Sequence, residues 1–415
     1  MSRPDDPSRT SPRGRRRLVA ILVLVAVLLV AAVATVWAFV AVNGSAGPAP
    51  TAPPSAPGSA SAPAPATSAP AETRITVSAM GDMLPHDAVN LNARTPDGGY
   101  DFARFFDGIR PLYADSDLVF CNQEVPSAGE ALGISGYPTF NAPSQLPSGL
   151  VEGAGCNAIN LANNHLADKG QAGIDATRAL WDGLSPLLLS GANRSPAEQQ
   201  AITYADVRGV RFALVSFAEY SNAPTEAFQV NLLGDEALLT GLMSTARANA
   251  DVVLVSAHWG TEDSNEVNDL QRGYAARLAE LGADVVIGTG PHVLQPVQWI
   301  DRPQGGRTLV WYSIGNMLNT QLSITQLVSV IAQFDVVRAP DGAISIEAPR
   351  AIPTYVHYDW TAEQEAAGDL LARTNLAIYP LRDAAEPLAR TRFGTTVDEQ
   401  LAYVASVLGP DVAIE

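Results

Sequence analysis

Residues 282–296 read Gly282-Ala283-Asp284-Val285-Val286-Ile287-Gly288-Thr289-Gly290-Pro291-His292-Val293-Leu294-Gln295-Pro296. A short β-branched run is bounded by glycines and ends in a turn carrying a histidine. Such runs, closed by Gly and Pro, read as buried strands. The pattern repeats upstream. Residues 251–256 form an apolar run ending at Ala257-His258-Trp259-Gly260. Residues 74–80 end in Gly81-Asp82, 117–121 in Asn122-Gln123-Glu124, and 157–161 in Ala162-Asn163-Asn164-His165. Further strands are predicted at 210–217 and 308–313, and a closing β pair at 328–337 and 343–348. Helices are predicted at 172–184, 237–250 and 270–281. Strands alternating with helices predict an α/β fold.

The strand ends carry the chemistry. Asp82, Glu124, Asn164, His165, His258, Glu262 and His292 all fall on segments that follow apolar strands. Ligands of open α/β sheets bind outside the carboxyl ends of strands, so these segments are expected to converge. Carboxylates, imidazoles and a carboxamide oxygen suit Zn, Mn or Fe. A carboxylate between two ions, flanked by imidazoles and an Asn, is the make-up of a two-metal hydrolytic site. Singly, each residue has a plainer reading. Asp82 follows a glycine and suits a turn. Glu124 suits a helix start or a solvated surface. Asn163 and Asn164 suit positive φ, and a lone histidine is more often a hydrogen-bonded core residue. The clustering shifts that balance: of five histidines, only His357 lacks a strand-end setting.

Ahead of this domain, residues 18–42 carry no charged side chain. At roughly 1.5 Å per residue the run reaches about 37 Å as a helix, enough for a hydrocarbon core of about 30 Å. Arg13, Arg15, Arg16 and Arg17 precede it, and flanking positive charge keeps that side cytoplasmic. The expectation is a cytoplasmic tail at 1–17, a transmembrane anchor in the lipid bilayer at 18–42, and everything later outside the cell membrane. A cleaved signal peptide is the competing reading, with a shorter apolar region of about 7–15 residues. Residues 43–72 are almost all Ala, Pro, Ser, Gly and Thr, the composition of a disordered, extended linker. The main domain is expected at 73–350, and a helical extension at 351–415. In that extension Thr361 with Gln364 and Thr396 with Glu399 form capping boxes.

Charge excludes one class of partner. The chain carries −17. Removing the +4 of residues 1–17 leaves −21, which repels nucleic acid. A polyanionic substrate would need bound cations. The two cysteines, Cys121 and Cys156, are compatible with a disulfide outside the cytoplasm or with two buried thiols.

The ordered set Gly81-Asp82, Asn122-Gln123-Glu124, 160–165 with Asp168 and Gly170, His258-Trp259-Gly260 with Glu262, 282–288 with 291–296, and Tyr312-Ser313-Ile314-Gly315-Asn316 resembles the CapA family of capsule (poly-γ-glutamate) synthesis proteins. The resemblance spans about 75–319. It implies a calcineurin-like metallophosphoesterase architecture, a four-layer α/β/β/α sandwich of two packed sheets flanked by helices. It implies Asp82 as a first-metal ligand, Glu124 as the bridge, Asn164 and His258 on the second metal, and His292 completing the first. His165 would be the general acid or transition-state stabiliser. Asn163, Glu262 and Asn316 are motif residues without an assigned role.

Two departures accompany the resemblance. The family commonly places a metal-binding His where this chain has Gly290, so one ion, or two with a weak second, is expected. Gln123 replaces a usual Leu, with its side chain expected to point away from the site. His86, four residues past Asp82, is a candidate substitute ligand. The implied activity is a metal-dependent hydrolase or transferase acting on a γ-glutamyl amide or phosphoester. The alternative is a non-catalytic accessory that binds or guides an exported anionic polymer in a membrane synthesis complex.

Overall fold

The computed structural model describes residues 71–415. The expected tail and anchor, and nearly all of the linker, lie outside the described residues. Among the described residues, no helix is long and apolar enough to cross a membrane.

Fifteen strands are formed there: β1 (Thr73–Met83), β2 (Leu118–Gln123), β3 (Ala158–Asn160), β4 (Leu188–Ser190), β5 (Thr203–Val207), β6 (Val210–Ala218), β7 (Val252–His258), β8 (Val285–Thr289), β9 (Val297–Asp301), β10 (Arg307–Trp311), β11 (Asn316–Leu318), β12 (Val328–Arg338), β13 (Ile344–Asp359), β14 (Thr374–Pro380) and β15 (Ala413–Ile414). They make two sheets. The first runs β14-β13-β12-β1-β2-β3-β4, with β11 beside β1 and β15 beside β13. The second runs β5-β6-β7-β8-β10-β9. The strands β1 to β4 are mutually parallel, as are β6, β7, β8 and β10.

Period-two alternation explains the layering. On β7, Val252 and Leu254 enter one core, while Val253, Val255 and Ala257 enter another. On β6, Phe212 and Leu214 face the first core, and Ala213, Val215 and Phe217 the second. The second sheet therefore separates two apolar layers. Its outer layer is closed by α1 (Glu236–Asn249) and α2 (Asp269–Glu280). Leu238, Leu239, Leu242, Met243 and Ala246 give α1 a buried stripe at helical spacing. Asp235 caps its first turn, and Asn268 with Gln271 forms a capping box at α2. The larger core holds side chains from both sheets together with Trp181 of a further helix, Gly170–Leu184.

The expected mixed α/β layering is present, but the C-terminal part differs from expectation. The segment 351–415 is not a helical extension. The strand expected at 343–348 continues to Asp359, so a boundary at 350 falls inside β13. Residues Val328–Arg338 pair antiparallel with it along its length, and β14 extends the same sheet. Tyr355 and Val356 are buried there, and burial in a sheet overrides local helical signals. The two capping boxes do form, at Thr361 and Thr396, and the second starts the helix Val397–Leu408.

Candidate metal centre

Strand ends from both sheets meet at one place. Parallel register sets Asp82 beside Asn122, and Asn122 beside Asn160. From the second sheet, His258 lies beside Thr289. Asp82, Asn122 and His258 are thus strand residues, not loop residues as the turn signals implied, and Asn160 lies in a strand as expected. Gly81 makes this possible. A Cβ there would sit 1.8 Å from the Gly315 carbonyl oxygen.

The register builds a buried amide ladder. Asn160 donates to Asn122 Oδ1 at 2.6 Å, and Asn122 donates to Asp82 Oδ1 at 2.6 Å. The other carboxylate oxygen, Asp82 Oδ2, accepts the Gly290 N–H at 3.2 Å and lies 3.1 Å from His292 Nδ1. Asn316 Oδ1 is 3.0 Å from the same nitrogen, and Asn316 Nδ2 donates to the His292 carbonyl. His292 is held at φ 61, with its Nε2 3.7 Å from Glu124 Oε1. Asp82, Glu124 and His292 place ligand atoms within 4.8 Å of one another.

A second set lies against the first. His258 Nε2 is 3.0 Å from Asn164 Oδ1 and 3.5 Å from Glu124 Oε1. Its Nδ1 is engaged by Thr289 Oγ1 at 3.0 Å, which leaves Nε2 on the Glu124 side. Glu124 is fully buried, and neither of its carboxylate oxygens has a hydrogen-bond partner. A buried carboxylate without a partner carries a large desolvation cost. The hard oxygens and imidazoles around it are donors for a divalent cation. The residues therefore fit a metal.

Protonation follows from the same crowding. Burial pushes Glu124 well above the usual carboxylate range, and Asp82 pushes it further. Burial works against charge on Asp82 too, yet the His292 contact and the His258 charge hold its pKa below the usual value. Burial pulls His258 down to about 4. It also opposes the charge on His292, but Glu124 and Asp82 outweigh it and lift that group to about 10. The ion-free cluster thus holds protons that a bound cation would displace.

The remaining expected residues fall into distinct places. His165 sits beside the centre, its Nδ1 2.8 Å from Asp168 Oδ2. Asn163 is a loop tie: its amide donates to the Gln123 and Leu161 carbonyls, and its oxygen accepts His165 N–H. Gln123 points away, bonding Ser127 and Trp181. His86 is not in the ligand group. It lines a cleft of about 400 Å³ with His165, His292 and Glu262. At Gly290, φ is 106° and a Cβ would meet the Trp259 carbonyl oxygen at 2.9 Å, so an imidazole there would need the backbone to move. Cys121 and Cys156 form a disulfide. The sequence reading missed Asn160 and Thr289 as supports of the site, although Asn160 falls within a quoted motif. Only strand register shows Asn160 in line with Asp82.

Residues 76–321 match the family described as Bacterial capsule synthesis protein PGA_cap. The chain is 27% identical over 284 residues to the PGA biosynthesis protein CapA of Bacillus subtilis (strain 168), covering 66% of this chain and 72% of that one. It is 28% identical over 261 residues to the capsule biosynthesis protein CapA of Bacillus anthracis, covering 60% of each chain. Among solved structures, Haemophilus influenzae NAD nucleotidase (NadN) is similar with a TM-score of 0.41 at 15% identity, over 81% of this chain and 60% of that one.

Proposed function

The chain belongs to the bacterial capsule synthesis protein family, and from that premise we propose that it is a metal-dependent hydrolase or transferase working on a capsule-type polymer outside the cell. Its fold is read as metallophosphoesterase-like. The observation that carries the catalytic reading is Glu124, a fully buried carboxylate whose two oxygens have no partner and lie next to His258 and His292. Asp82, Glu124 and His292 would hold one divalent ion (Mn, Zn or Fe). Asn164 and His258, sharing Glu124, would hold a second.

When bound, such an ion supplies Lewis acidity and an activated water. The chain supplies the rest. Asn316 and Asp82 fix the His292 ring from its Nδ1 side, the arrangement that orients a ligating imidazole. Asp168 fixes His165 through Nδ1 and leaves Nε2 near Asn222, which lines the same cleft. His165 is thereby placed to move a proton at Nε2. In hydrolysis of an amide, water adds across the C–N bond, giving a carboxylate and an amine, and His165 delivers the proton the amine needs.

Residues 18–42 would anchor this domain to the membrane, with the linker at 43–72 spacing it from the surface. One observation favours a second reading. The backbone at Gly290 leaves no room for the additional imidazole, which suits a single-ion site or an accessory that guides polymer within a synthesis complex. Elemental analysis of the purified protein tests the metal reading and counts the ions. One to two equivalents of divalent ion are expected in wild type and none in the Asp82→Ala, His258→Ala double variant. An equal metal content in the two proteins would end the metalloenzyme reading.

A further inference from the structure

The cleft over the metal group has an unusual lining. Part of it is aromatic: Phe140 packs edge-on against His165 with centroids 4.6 Å apart and against His86 at 5.5 Å. Tyr137, also in the lining, stands edge-on to Phe140 at 6.4 Å and is 77% exposed. The lining contains no lysine or arginine. Its one carboxylate is Glu262, which is exposed. Neighbouring acids are occupied: Glu219 accepts the Gly260 N–H at 2.8 Å, and Asp263 accepts the Gln326 amide. Among the described residues Glu262 has no such partner. It shares the cleft lining with His165 and His292, beside the metal group.

This charge pattern discriminates between substrates. A phosphate ester or a run of carboxylates entering the cleft meets the Glu262 carboxylate, and the lining offers it no lysine or arginine. A substrate bearing an ammonium group meets an unpaired carboxylate and an exposed aromatic ring, and both attract it. We propose that Glu262 is the specificity-determining residue of the cleft, receiving a free ammonium group beside the reacting bond, so that the preferred substrate is an amine-bearing amide and not a phosphate ester. The inference rests on the amide-hydrolase reading above and names its substrate class.

Binding of three probes to metal-loaded full-length protein tests it by titration calorimetry: γ-glutamyl anilide, its N-acetyl twin, and phenyl phosphate. Wild type is expected to bind the free amine at least tenfold more tightly than the acetylated twin. Glu262→Gln should reduce that ratio to near unity with unchanged metal content and melting temperature. Glu262→Lys should improve phenyl phosphate binding. Equal affinity for the two anilides in wild type, or an unchanged ratio in Glu262→Gln, overturns the proposal. Aniline release is read separately. Selective binding without turnover would count against the hydrolase reading and leave Glu262 in place as the selector.

Discussion

Two buried carboxylates in this molecule live in opposite circumstances. Asp335, on β12, accepts from Arg74 at 2.9 Å, from Arg350 at 3.3 Å and from Thr76 at 3.1 Å. Burial works against its charge, but those donors hold its pKa below the usual range. Glu124 is buried more completely and accepts from nothing. Its pKa moves the other way, upward. Desolvation opposes charge on both, more strongly on Glu124, and only Asp335 has donors that offset it. A fold that can satisfy Asp335 with three donors leaves Glu124 bare in the middle of imidazoles and another carboxylate. That contrast supports the proposal that Glu124 serves a cation rather than the fold.

The sharpest way to break the comparison is to neutralise each acid in turn. Glu124→Gln should lower divalent-ion affinity by about a thousandfold, roughly 4 kcal/mol, while the melting temperature of the ion-free protein holds or rises. Asp335→Asn should leave ion affinity unchanged and cost about 1–3 kcal/mol, since Arg350 is largely buried and Arg74 half exposed. Calorimetric ion titration and chemical denaturation read the two quantities. Loss of ion binding in the Asp335 variant would dissolve the distinction.

A second test separates scaffold from site on β2 itself. Cys121 directly precedes Asn122 and is bonded to Cys156. Opening that loop with a Cys121→Ser, Cys156→Ser double variant should cost about 3–4 kcal/mol through the unfolded chain. Ion stoichiometry of the folded fraction should not change. A drop in stoichiometry would show that the crosslink positions Glu124.

The smallest effect concerns His86, which lines the cleft without joining the ligands. Burial, then the charge of Arg373, pushes its pKa down to about 3, and its Nδ1 has no partner. The unfolded chain takes up the proton near pH 6.5 and the folded chain resists it. Stability is therefore retained above that pH and lost as pH falls from about 6.5 towards 3. Its edge is partly open to the cleft, so the loss from pH 6 to 5 should be at most about 1 kcal/mol. Ion-free wild type should lose that much relative to His86→Gln in urea melts. Parallel pH profiles for the two would remove His86 from the account.

Much of the candidate site was legible in the residues. Asp82, Glu124, His258 and His292 end runs whose apolar, β-branched character demands burial, and a buried run must stop at a polar turn. Order along the chain and the motif at 291–296 carried the family. The C-terminal segment was not legible. Its capping boxes are local signals and formed as read, but 351–359 became strand because the β12–β13 hairpin runs on past residue 350 and β14 pairs with its other edge.

Sequence alone determined which side chains could serve a cation, because donor chemistry belongs to residue type. It also set the α/β alternation, because strand and helix periods are local. Tertiary structure decided which donors come within reach of one another. It set Asp82, Asn122 and Asn160 in register, joined Cys121 to Cys156, and closed the space at Gly290. Those outcomes depend on distances between chain segments more than a hundred residues apart in the case of Asp82 and His292, and register and packing, not residue identity, fix such distances.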